Sequence, residues 1–122
     1  MRGLQRRARR ALERQLDYQR AKAKRALGNE AEIMASMAEQ SAVVQAKLAP
    51  IRPIPANSRV LEVGSGAHGL IFYFAAGERV GVDPLADEYR VLFPAWQDRA
   101  RTIAAFGEQI AVCRFQLRRR AV

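Results

Sequence analysis

A strand-like run that ends in a cluster of glycines constrains this chain more than any other feature. Arg59-Val-Leu-Glu-Val63 is short, aliphatic and β-branched, and it passes directly into Gly64-Ser-Gly66-Ala-His-Gly69. Branched side chains favour the pleated, buried setting of a strand. Glycines after it let the backbone turn through positive φ and approach a ligand closely. Residues 70–76 are apolar enough for a short buried helix. Residues 79–82 read as a second strand, ended by Asp83-Pro84, and residues 87–93 as a helix that Pro94 closes. Residues 101–105 read as a third, weaker strand. Strand, helix, strand, helix, strand predicts an α/β fold with about three parallel strands.

Two helices are expected upstream. Across residues 1–27, Leu4, Ala8, Leu12 and Leu16 recur at spacing four, with arginine on most other faces. Gly28-Asn29 interrupts the pattern. Residues 30–48 read as a second helix, with Ile33, Met34, Met37, Val44 and Leu48 as apolar points and Glu30 and Glu32 near its start. Pro50-Ile-Arg-Pro-Ile-Pro55 stops it.

The net charge of +9 is unevenly placed. Residues 1–27 carry +8 and residues 110–122 carry +4, while the middle carries −3. Any affinity for polyanions therefore belongs to the ends. The basic first helix reads first as a solvated face, with nucleic-acid or anionic-membrane contact through residues 1–27 as the less favoured alternative. The single cysteine, Cys113, excludes an intramolecular disulfide and a multi-cysteine zinc site, and no acid or histidine near it in sequence would activate it. No apolar run approaches the roughly 20 residues of a membrane span, and no apolar stretch follows the basic N-terminus as in a secretory signal. A cytoplasmic location is expected.

The chemistry lies around the glycine loop. Backbone amides at the carboxyl edge of a strand suit an anionic or polar ligand, and an acid ending the next strand suits the hydroxyls of a ribose. Asp83 stands 19 residues after Gly64, close to the roughly 20 expected between such a loop and its ribose acid. The loop matches G-x-G-x-x-G literally, which keeps an NAD(P)-binding oxidoreductase in view. Glu62 argues against it. A carboxylate beside a pyrophosphate repels it, whereas a methionine sulfonium with its free amino group is cationic and is attracted.

With Glu62-Val-Gly64-Ser-Gly66 and Asp83 in place, residues 57–109 resemble class I S-adenosylmethionine-dependent methyltransferases, whose first motif is acid-x-Gly-x-Gly. The resemblance implies a partial Rossmann-like methyltransferase sheet preceded by two N-terminal helices, with S-adenosylmethionine as the cofactor. It implies that Glu62 orders the loop or meets the methionine amino end. By the same resemblance Gly64, Ser65 and Gly66 pack their backbone against the cofactor, and Asp83 holds the ribose hydroxyls. It names no catalytic residue and leaves the methyl acceptor open. His68 stands where the family often has a third glycine, a narrowing that Gly69 would offset. Phe106 stands near where an adenine-contacting acid often sits, and would stack on or cover the ring instead. Otherwise His68 reads as a surface loop residue, and Phe93 and Trp96 as packing.

The resemblance also implies a division of the chain. Residues 1–56 form a basic helical extension, 57–109 a partial cofactor-binding domain and 110–122 an aberrant Arg-rich tail. In the family, the stretch after the third strand typically reads Gly-Glu-x-Leu-Pro-Phe-x-Asp-x-Ser-Phe-Asp-Val-Val. Gly107-Glu-Gln109 begins that phrase, and residues 110–122 abandon it. Under one permitted set of codons, those residues read from the second base give Leu-Pro-Phe-Ala-Asp-Ser-Ser-Phe-Asp-Val-Val-Leu. The expectation is a methyltransferase frame cut short by a one-nucleotide change, with an exposed sheet edge, marginal stability and no activity of its own. The coding DNA is the check: in the shifted frame it should continue as a methyltransferase beyond residue 122, and any other continuation removes the frame-change explanation.

Overall fold

The computed structural model describes residues 2–109. Residues 110–122, which include Cys113 and on which the expectations of an aberrant tail and a shifted frame fall, lie outside the described residues. The element order is α1 (Arg2–Ala26), α2 (Glu30–Leu48), β1 (Arg59–Val63), a 3₁₀ turn (Leu70–Tyr73), β2 (Glu78–Asp83), α3 (Ala86–Leu92), α4 (Pro94–Gln97), β3 (Arg101–Ala104) and a last 3₁₀ turn (Gly107–Gln109). The fold is thus α/β, with two helices first and a three-stranded parallel sheet ordered β1-β2-β3. No helix among the described residues is long and apolar enough to cross a membrane.

Three sequence expectations change. The helix expected over residues 70–76 is a single 3₁₀ turn, Leu70–Tyr73. Its Tyr-Phe-Ala-Ala-Gly exit must bring the chain back to the start of β2, and Phe74 is already extended. Pro94 does not merely close α3. It stands at the first position of α4, where a missing N–H costs nothing because that donor has no intrahelical partner. The strand over Arg59–Val63 is not buried: Val60 and Glu62 are half-buried, while Leu61 and Val63 are 38% and 49% exposed. β1 pairs only with β2, so one of its edges has no neighbouring strand among the described residues.

The core gathers on the side of the sheet that carries Val60 and Gly81. Ile71, Phe72, Tyr89, Phe93 and Trp96 are buried there with Met37 of α2. Leu12, Leu16 and Ala23 of α1 and Ile33 and Met34 of α2 pack against this cluster, so the helical segment and the sheet share one core. Burial of each large side chain contributes roughly 1.5–3 kcal/mol before the entropic cost of ordering it.

Polar contacts then fix how α2 sits. Ser41 is fully buried, and its hydroxyl donates to the Leu70 carbonyl at 2.9 Å. Gln45 accepts the Ala75 N–H at 3.0 Å and donates to the Tyr73 carbonyl at 3.4 Å. Together they satisfy backbone groups of a segment too short to satisfy its own. At the start of the sheet, Arg79 donates to the carbonyls of Phe72 and Arg99, at 3.0 and 2.6 Å. Replacing Ser41 with alanine leaves the Leu70 carbonyl buried without its donor. The expected loss is about 1–3 kcal/mol, read in urea unfolding as a lower midpoint at constant slope.

Candidate functional site

The site forms where β1 and β2 end side by side. Val63 and Val82 are register partners, so the residues that follow them meet at one carboxyl edge. The loop is hung from β2 by its backbone. The Val82 carbonyl accepts the N–H groups of Gly64 at 2.7 Å and Ser65 at 3.2 Å. Gly64 and Gly66 adopt φ of +71° and +63°, a left-handed region that a side chain disfavours. A Cβ at either position would meet nothing within 4 Å, so they are glycines for conformation and not for want of room.

Asp83 ties this loop to the next. Its Oδ2 accepts the Gly66 N–H at 3.1 Å and its Oδ1 accepts the Leu85 N–H at 2.9 Å. A carboxylate has about four acceptor positions, so two amides leave capacity for further donors such as ribose hydroxyls. Ser65 is buried, seated over Gly81 of β2. Its side chain therefore packs into the sheet, and the residue as a whole is 4% exposed.

Glu62 lies against the end of the loop at Gly69. Burial raises its pKa, and the N–H groups of Ile71 and Leu70, directed at its carboxylate, pull it back down. Gly69 is what makes this possible. A Cβ there would collide with the Glu62 carboxylate and stand 2.5 Å from the Ser65 carbonyl oxygen.

His68 lies in the loop, as expected, but is half-buried. Its ring lies 5.0 Å from the Phe93 ring and 5.1 Å from the Trp96 ring, with Nε2 buried and without a hydrogen-bond partner among the described residues. Burial, helped by the positive charge of Lys22 on α1, lowers its pKa to about 4. Phe93 and Trp96 stack at 5.0 Å beneath it and are packing residues, as their sequence setting suggests. Trp96 does more than pack: its Nε1–H donates to the Ala67 carbonyl at 2.8 Å. Gln97 donates to the same carbonyl at 2.9 Å and to that of Gly66 at 3.3 Å.

The structure therefore brings Glu62, Gly64, Ser65, Gly66 and Asp83 together around one turn of chain. It adds Trp96, Gln97 and Gly69, which sequence reasoning did not assign to the site. Pro94 was the available signal for the first two, because a proline that opens a helix presents Trp96 and Gln97 on its first turn. Phe106 is 42% exposed beyond β3, and its N–H is satisfied by Gln109 at 2.8 Å. Among the described residues no group of three or more His, Cys, Asp or Glu side chains is placed to hold a metal. No protein-family model, curated protein or solved structure matches the chain.

His68 sets a pH dependence. The unfolded chain protonates it near 6.5 and the folded chain near 4, so between these values the unfolded state binds more protons. Stability is then fully present above about 6.5 and falls as pH drops towards 4. Glu62, whose pKa burial raises, acts in the opposite sense. Thermal unfolding across this window should show the midpoint falling with pH, and His68→Gln should flatten the slope. An unchanged slope in that variant would place the dependence elsewhere.

Proposed function

We propose that this chain carries the S-adenosylmethionine-binding part of a class I methyltransferase. The observation that supports it most is the meeting of the Gly64–Gly66 turn with Asp83 at the carboxyl edge of adjacent parallel strands. Ligands of open α/β sheets bind in the crevice outside that edge. Asp83 keeps acceptor capacity after holding Gly66 and Leu85, and the turn presents glycine backbone with open space beside it.

The electrostatics favour a cationic cofactor over a dinucleotide. Glu62 lies against the loop as a half-buried carboxylate, which opposes a pyrophosphate and favours a sulfonium with an amino group. When bound, S-adenosylmethionine would supply an electrophilic methyl group. The chain's own part is to order the loop through Glu62 and Asp83 and to hold the cofactor for in-line approach of an acceptor, where proximity supplies most of the acceleration. No catalytic residue is assigned in this chain.

Calorimetry tests the reading. S-adenosylmethionine or S-adenosylhomocysteine should bind, and NAD should not. Asp83→Asn, which keeps an acceptor oxygen for one amide but removes the charge, should weaken S-adenosylhomocysteine at least about ten-fold, or 1.4 kcal/mol. NAD binding in place of the other two would turn the assignment to an oxidoreductase.

A further inference from the structure

The first helix carries a surface that neither the core nor the loop uses. Leu12, Leu16 and Ala23 of α1 face the core, and Gln19 and Ala26 are buried beside them. The rest of the helix is strongly basic: Arg6, Arg7, Arg9, Arg10, Arg14, Arg20, Lys24 and Arg25 are all exposed. Within it runs one acid-free stripe. Arg7, Arg14, Tyr18 and Arg25 recur at i, i+7, i+11 and i+18, intervals that return to nearly the same side of a helix. The stripe spans about 27 Å at 1.5 Å per residue. Among the described residues none of its three arginines makes a salt bridge; the ion pair of α1 joins Asp17 to Arg20, off the stripe. Tyr18, in the middle, is 56% exposed.

Four properties narrow the partner. Unpaired guanidinium groups in a row match a row of phosphates. An exposed aromatic ring between them offers a stacking surface for an unpaired base, which a duplex would not present. A bilayer surface fits less well, because the apolar stripe that an interfacial helix would bury in lipid is already packed into the core. The helix also passes the candidate site: Lys22 lies near enough to His68 of the glycine loop to help depress its pKa.

We propose that the Arg7–Arg14–Tyr18–Arg25 face of α1 binds single-stranded nucleic acid, with arginines on phosphates and Tyr18 stacked on a base, alongside the glycine loop. Taken with the methyltransferase reading, on which this one step rests, the methyl acceptor is a nucleic acid. Binding itself is independent of that reading.

Fluorescence anisotropy of the full chain with a labelled single-stranded RNA of mixed sequence is the test. Three stripe arginines and Lys22 engaging phosphates would give a salt slope near −2.8, roughly a fifty-fold loss of affinity between 50 and 200 mM salt. The triple variant R7Q/R14Q/R25Q should reduce that slope by about 2, and Tyr18→Ala should weaken single strands about ten-fold while sparing duplex. Circular dichroism should show each variant folded as the parent. Absence of low-salt binding overturns the proposal, as does binding that the triple variant leaves intact. Uptake by phosphatidylserine vesicles in preference to RNA overturns it in favour of a membrane surface. S-adenosylhomocysteine calorimetry on the unsubstituted chain separates the two readings. Cofactor binding without any RNA binding sinks only this proposal, and RNA binding without cofactor binding sinks only the assignment of the acceptor.

Discussion

Two backbone amides converge on the carboxylate of Asp83, and the arrangement of the whole carboxyl edge depends on that convergence. Gly66 brings the loop after β1, and Leu85 brings the start of α3. Without an acceptor between them, two buried or half-buried donors would lie side by side unpaired, at about 1–3 kcal/mol each. The carboxylate satisfies both and sets the distance between the loop and the helix. From there the constraint spreads. The position of α3 sets that of α4, and Trp96 and Gln97 of α4 reach back to the carbonyls of Ala67 and Gly66. The loop is thus held from its N–H side by β2 and Asp83, and from its carbonyl side by α4.

That double hold explains why a glycine-rich turn can have one conformation. Glycines lose more backbone freedom on ordering than any other residue. A turn with two of them in the left-handed region needs contacts on both sides to stay ordered. Glu62 lies against the Leu70–Tyr73 turn, at a position that Gly69 leaves open. The cost is a half-buried carboxylate, which the amides of Leu70 and Ile71 offset only in part.

The sheet is unevenly covered. Val80 and Val82 of β2 are buried, while their neighbours Leu61 and Val63 on β1 share that face and remain exposed. Parallel sheets are ordinarily covered on both faces, so β1 is the strand whose apolar surface is least accounted for among the described residues. Strength in this fold lies towards β2, which has a strand on each side and the core against it.

Much of this was legible in residue order. Branched aliphatic runs marked β1 and β2 because strand propensity is local, and the spacing from Gly64 to Asp83 placed an acid beside the loop because the intervening crossover is short. The parallel sheet and the two leading helices followed from the same local patterns. Other features were not legible, because they depend on partners distant in sequence. His68 is the loop residue it read as, but its half-burial comes from Phe93 and Trp96, some 25 residues on. Ser41 and Gln45 carried no signal in the pattern of their helix, yet they face the turn at residues 70–75 and satisfy its backbone. β1 read as buried because its residues are apolar, while its exposure depends on which strands and helices lie beside it. Sequence alone determined the three strands, the two leading helices and the position of the loop and its acid, through propensity and spacing. Tertiary structure alone decided which groups hold that loop in place, because hydrogen bonds to its carbonyls and the space around Gly69 exist only once distant segments meet.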